Sequence, residues 1–106
     1  MTIKIGYKNY EIHKLTEVFD DKHQELYGEI KYDKEEIRIS TKFSDNLQRQ
    51  SLIHEIVHAI ADKYQLEMNK DERTVDLLAA GIYELILDNK EKIIEFIEGV
   101  NNERQS

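Results

Sequence analysis

Leu52-Ile53-His54-Glu55-Ile56-Val57-His58-Ala59-Ile60 is the stretch on which the reading of this chain turns. On a helix that advances roughly 100° per residue, His54 and His58 lie four apart on one face, where two imidazoles can bind a single ion, and Glu55 sits at the edge of that face. Ile53, Ile56, Val57 and Ile60 make the helix mostly buried, and polar groups buried without partners are costly. A metal ion is one such partner. Incidental core histidines satisfied by ordinary hydrogen bonds are the plain alternative. Two neutral imidazoles and one carboxylate would leave zinc a fourth position for water, and a carboxylate beside that water, Glu55, would accept its proton during attack on a carbonyl. The HExxH pattern is thereby read as hydrolytic metal chemistry.

Two histidines alone hold zinc poorly, so a third ligand must be found. A further histidine six residues after His58 would complete one known solution, but Tyr64 stands there. The other common solution takes a carboxylate from the following helix, and Glu67, Asp71, Glu72 and Asp76 are the candidates. Glu67 falls in a connection, which holds a ligand less rigidly. Glu72 and Asp76 are four apart and share a face. Glu72 is the expected ligand, Asp76 the expected acceptor for the N–H of a ligating histidine, and Asp71 the fallback ligand. Each has an ordinary alternative: Glu72 can complete a capping box with Asn69, and Asp76 can pair with Arg73 or be solvated.

Outward from this core the pattern alternates between periods. Ser44 is a plausible N-cap with Asp45 in the first turn, giving a helix over 45–64. Asn69 with Glu72 opens a second helix through Val75, Leu78, Ala79, Ile82, Leu85 and Ile86; Asp88-Asn89 interrupts it, and a third follows through Ile93, Ile94, Phe96 and Ile97 to Gly99. Residues 100–106 read as a polar tail, the last six of them frayed. Upstream, Ile3, Ile5 and Tyr7, then Tyr10 and Ile12, alternate around a turn-like Lys8-Asn9, which predicts a hairpin over 2–14. Residues 16–24 read as a loop or short helical turn, with His13 and His23 as surface histidines. A second hairpin runs through Tyr27-Gly28-Glu29-Ile30-Lys31-Tyr32 and Glu36-Ile37-Arg38-Ile39-Ser40. Its second strand, residues 37–40, is expected nearest the metal helix, where it either offers a free edge to an extended peptide or only covers the helices. The expected class is α+β, a small antiparallel sheet of two hairpins (1–40) packed on about three helices (44–99) in one domain spanning 1–106.

Composition narrows the function. There is no cysteine, so disulfides and thiolate zinc sites are excluded and any metal must rest on His and Asp/Glu. A formal net charge of −7 opposes binding to nucleic acid or an anionic membrane. The N-terminal Met1-Thr2-Ile3-Lys4-Ile5-Gly6 has no apolar signal core, and no run approaches a membrane span, so the expected location is cytoplasmic. Oligomeric state is left open.

The order of parts, two hairpins, a helix with His54-Glu55-Ile56-Val57-His58, then a helix opening Glu72-Arg73-Thr74-Val75-Asp76, resembles zincin-like metallopeptidases of gluzincin type. Specifically it resembles the compact ImmA/IrrE-type family of phages, mobile elements and bacteria. The 28–39 hairpin before Ser51-Leu52-Ile53-His54 also resembles the lead-in seen there and in SprT-like proteins, whose basic or zinc-ribbon additions this acidic, cysteine-free chain lacks. The resemblance implies Zn²⁺ on His54, His58 and Glu72, Glu55 as general base, and cleavage of a repressor or other regulatory protein. Many relatives carry an extra helical segment or DNA-binding domain for which this chain is too short, so recognition is expected to be reduced or supplied by a partner. Iron or cobalt would also suit two imidazoles and a carboxylate. The expected function is therefore zinc-dependent peptide-bond hydrolysis on a protein or peptide substrate. Its rival is a metal-stabilised interaction module of phage or mobile-element origin that binds without cutting. Tyr64 and Tyr83 are within sequence range of an oxyanion, but aromatics on apolar helices are more often core.

Overall fold

In a computed structural model, which describes the backbone of residues 1–105 and side chains through residue 99, the chain is α+β. The first hairpin pairs β1 (Thr2–Ile5) with β2 (Lys8–Leu15). Its turn is Gly6-Tyr7 rather than the expected Lys8-Asn9, because Gly6 supplies the left-handed φ of 65° that the reversal needs. A Cβ there would also lie 2.6 Å from Lys63 Cδ. Residues 16–24, expected to be loop or helical turn, contribute β3 (Val18–Phe19), which pairs with β4 (Glu25–Leu26) as a separate two-stranded ribbon. The Asp20 carboxylate closes that ribbon by accepting the N–H groups of Lys22 and Gln24. The second hairpin pairs β5 (Gly28–Lys31) with β6 (Glu36–Ser40).

The two hairpins join into one mixed sheet of order β1-β2-β6-β5, since β2 and β6 run parallel, with Ile12 opposite Ile37 and Lys14 opposite Ile39. The expectation of a purely antiparallel sheet is corrected on this point. The parallel join also puts β6 in the centre and leaves β5, not β6, as the free edge. Parallel strands need a long connection, and the β3–β4 ribbon together with β5 provides it.

One face of the sheet is apolar through Ile5, Tyr10, Ile37 and Ile39, and α1 (Asp45–Lys63) lies across it with Leu52, Ile56 and Ala59. The helix starts as the sequence indicates: Ser44 Oγ accepts the Leu47 N–H at 3.2 Å. It stops where Gln65 turns to φ 56° and the Leu66 N–H reaches back to the Ala61 carbonyl. A 3₁₀ turn (Glu67–Lys70) leads to α2 (Glu72–Gln105), which packs on the other side of α1 through Val57, Val75 and Ala79.

Two α-helices stand where about three were expected. Asp88-Asn89 does not break α2; the Asn89 amide donates to the Leu85 carbonyl, and both positions tolerate polar side chains in a helix without proline. Gly99 keeps helical φ, so the helix passes it and continues to Gln105, through most of what reads as a polar tail; Ser106 lies outside the described residues. Among the described residues no helix is long and apolar enough to cross a membrane.

Candidate metal centre

The cap of α2 decides what Glu72 is free to do. Asp71 is the N-cap: its Oδ1 accepts the N–H groups of Arg73 and Thr74 and its Oδ2 accepts the Thr74 hydroxyl at 2.7 Å. Those hydrogen bonds lower its carboxyl below the usual aspartate range. Asp71 is thus occupied and is not the fallback ligand, and the expected Asn69–Glu72 capping box does not form. Glu72, released from capping, extends toward α1.

There it meets both histidines. Glu72 Oε1 lies 2.7 Å from His58 Nε2 and Oε2 lies 3.2 Å from His54 Nε2. The opposite ring nitrogens are held from behind: His54 Nδ1 is 3.3 Å from Asp76 Oδ1, as the i, i+4 spacing of Glu72 and Asp76 suggested, and His58 Nδ1 is 2.6 Å from Asn69 Oδ1. The Asn69 amide is oriented in turn, because its Nδ2 donates to the Tyr32 hydroxyl at 3.3 Å. Glu67, Tyr64 and Tyr83 take no part. Glu67 is in the 3₁₀ turn outside the cluster, the Tyr64 hydroxyl accepts from Lys63, and the Tyr83 hydroxyl is spent on Asn46.

Do these residues fit a metal? A neutral imidazole carries one N–H, and here both Nδ1 atoms face pure acceptors, so both protons belong on Nδ1. Each Nε2 then turns a lone pair toward an anionic carboxylate oxygen. Lone pairs and anion repel unless positive charge lies among them. One ligand atom from each of His54, His58 and Glu72 falls within 4.8 Å of the other two, and a tetrahedral ion with bonds of about 2.0–2.1 Å separates its ligands by roughly 3.3 Å. The group can hold a metal ion, and its donor types, two imidazoles and a carboxylate without thiolate, suit a borderline divalent cation.

Glu55, one residue after His54, turns to the sheet side of the same helix and is 6% exposed. Gly28 of β5 makes the space. A Cβ built on Gly28 would stand 3.4 Å from Glu55 Oε2 and 3.1 Å from the Arg38 carbonyl, so any side chain would crowd the carboxylate against the strand. Burial pushes the Glu55 carboxyl up to about 8, with the charges of Glu72 and Glu29 adding to the effect. Two cavities open on either side of Glu55 and Glu72. The larger, of about 610 Å³, reaches toward Tyr27, Leu47, Gln50 and Arg73; the smaller, of about 330 Å³, reaches toward Ile30 and Tyr32. Both border β5. Because the Tyr27 carbonyl accepts the Ser40 N–H, the alternation of an antiparallel ladder leaves the amides and carbonyls of Gly28 and Ile30 pointing away from β6, along the cleft.

No protein-family model, curated protein or solved structure matches this chain. Its chemistry is read from its own residues. Asn69, Tyr32 and Gly28 belong to the centre and escaped the sequence reading. A second ligating histidine needs an acceptor behind it, and that requirement points to Asn69, the polar residue three before Glu72. Nothing in the spacing points to Tyr32 or Gly28, which arrive from the sheet.

Proposed function

We propose that the protein is a zinc-dependent metallopeptidase with a zincin-like site, comparable to the ImmA/IrrE-type family that its sequence resembles. The observation that carries this reading is the convergence of His54 Nε2, His58 Nε2 and the Glu72 carboxylate beside a buried glutamate in a cleft with a free strand edge. A divalent cation bound by those three side chains would polarise a peptide carbonyl and acidify a water molecule.

The chain's own groups supply the rest. Glu55 takes the proton of the attacking water on its carboxylate and returns it to the departing amine nitrogen, a transfer best served by a carboxyl titrating near the working pH. Asp76 and Asn69 keep the two imidazoles in the Nδ1–H form and aim them. The outward amide and carbonyl groups of Gly28 and Ile30 lay an extended polypeptide across the cleft by strand addition, so the substrate is a protein segment able to become extended. Tyr32, whose hydroxyl accepts from Asn69 and keeps its own proton because burial raises its pKa, is placed to donate to the substrate carbonyl oxygen. The substrate's regulatory nature and a cytoplasmic setting belong to the same proposal.

Glu55→Gln tests it. The variant is expected to retain metal at one ion per chain while peptidase turnover on a diverse peptide library falls by about 10²–10⁴. His58→Ala is expected to lose both metal and turnover. Undiminished cleavage by Glu55→Gln would overturn the mechanism, and zinc-loaded wild type that binds but never cuts any peptide would leave only a binding module.

A further inference from the structure

The larger cavity beside the metal cluster carries one charge without a partner. Three of its carboxylates are matched: Glu25 Oε1 lies 2.8 Å from Lys42 Nζ, Glu72 faces both histidines, and Asp76 Oδ1 lies 3.3 Å from His54 Nδ1. The fourth, Glu55, is sunk against Gly28. Arg73 is the only lysine or arginine on the walls of either cavity. Among the described residues its guanidinium enters no ion pair, and what Asp71 accepts from it is the backbone N–H. Asp76, the partner that the sequence offered, is turned to His54 instead. The position is also a poor one for the helix. Arg73 is the second residue of α2, and the positive end of the helix dipole disfavours a cation in the first turn. Stability of the fold therefore does not account for an exposed arginine here.

We propose that Arg73 selects substrates bearing a carboxylate on the C-terminal side of the scissile bond, either an aspartate or glutamate side chain or the end of the peptide itself. This rests on the metallopeptidase reading and names the substrate class of the same site. The direction follows from β5. That strand runs from Gly28, on the wall of both cavities, toward Ile30 and Tyr32, which border only the smaller one. A polypeptide added antiparallel, the pairing that is more stable per residue, runs the opposite way. The part that follows the scissile bond then lies over the larger cavity, against the start of α2. Arg73 comes directly after the ligand Glu72, and an extended chain advances about 3.3 Å per residue, so the contact falls within the first few residues beyond the bond. A guanidinium fork matches a carboxylate with two parallel hydrogen bonds. A basic residue at the same place gains little, because the carboxylates around it are already matched and Leu26, Leu47, Gln50 and Ser51 are uncharged. The net charge of −7 repels an acidic peptide at a distance, but screening confines that field to about 8 Å at physiological salt, whereas the pair with Arg73 forms at contact.

Sequencing the products that the zinc-loaded protein releases from an acetylated, amidated peptide library is expected to show aspartate and glutamate enriched just after the cleavage point. For matched peptides that differ only as Glu against Gln there, kcat/KM is expected to favour Glu about tenfold. A second matched pair, free against amidated C-terminus, shows whether a terminal carboxylate serves as well. Arg73→Ala should bring whichever ratio exceeds one back to about one, and Arg73→Glu should turn the preference toward Lys. Each ratio is taken within one protein, so a change in metal loading cancels. The melting temperature of Arg73→Ala should not fall, whereas loss of an arginine that merely supported the fold would lower it. Cleavage with no preference for either carboxylate, a preference on the N-terminal side, or a ratio unmoved by Arg73→Ala would overturn this inference and leave the metallopeptidase reading standing. If no peptide is cut, fluorescence anisotropy of the same labelled peptides on zinc-loaded protein decides separately. Tighter binding of the carboxylate-bearing peptide, lost in Arg73→Ala, upholds the role of Arg73 while the hydrolytic reading fails; equal binding of the matched peptides, or none, overturns it.

Discussion

Glu55 is held in a place that opposes its ionisation, and this has a cost that can be measured apart from any catalysis. In the unfolded chain its carboxyl titrates near the ordinary 4.5; in the metal-free fold burial, with Glu72 and Glu29 nearby, moves it to about 8. A carboxyl raised in this way leaves stability intact below pH 4.5 and removes it progressively as pH rises through about 8, by an amount on the order of 3–5 kcal/mol. Thermal melts in chelator should show wild type losing Tm between pH 5 and pH 8 far more than Glu55→Gln does. Equal pH dependence in the two proteins would mean that Glu55 ionises without penalty. Asn69 invites a second measurement. Its Oδ1 is 2.6 Å from His58 Nδ1, so Asn69→Ala frees the ring to rotate or change tautomer, and zinc affinity in a competition with a chelating dye is expected to drop by about 10–100-fold. Asn69→Asp, which keeps the acceptor, should retain most of that affinity.

At the scale of elements, the cap at Asp71 sets where α2 begins and hence where Glu72 points. Asp71→Ala should lower Tm by roughly 5 °C and loosen the metal as well, because the first turn carries the ligand; a melt with and without zinc separates the two effects. An unchanged melting temperature would show that Thr74 and Arg73 find other partners. This cap also shows what the sequence could and could not tell. The pair of histidines four apart, Ser44 as the start of α1, and Glu72 with Asp76 on one face are local relations fixed by helical geometry, and they were readable. Asn69-x-x-Glu72 and Asp71-x-x-Thr74 both offer capping chemistry, however, and only the path of the 3₁₀ turn selects the second. The parallel pairing of β2 with β6 was illegible for a related reason: it joins residues about 25 apart whose alternation is the same whether they pair with each other or with solvent. Asp88-Asn89 and Gly99 look like breaks because such residues often are, yet neither adopts a left-handed backbone here. Gly28 and Tyr32 reach the centre only through the sheet, so helix spacing carried no trace of them.

For the molecule as a whole, the proposed ion joins parts that otherwise share little. The cluster of Ile5, Tyr10, Ile37, Ile39 and Ala59 ties the sheet to α1, while α2 is tied to α1 mainly by Val57, Val75 and Ala79. The ligands straddle that second, smaller seam, His54 and His58 on one side and Glu72 on the other. In a chain of net charge −7, Glu55, Glu72 and Asp76 crowd the same end of the seam, and in the metal-free state the charge of Glu72 adds to the burial that keeps Glu55 protonated. An ion that binds only the folded chain adds stability by mass action, about 2.7 kcal/mol at a hundredfold excess over its dissociation constant. For a domain of this size that corresponds to a rise in Tm of roughly 10–20 °C. Scanning calorimetry with zinc, then with excess chelator, should show the rise and its reversal in wild type and neither in Glu72→Ala. Because Glu72 is 72% exposed at its side chain, that substitution leaves no cavity, and its metal-free melting temperature should equal or exceed that of wild type. A wild-type protein whose melting is indifferent to zinc and to chelator would separate the convergence of these three side chains from any metal function.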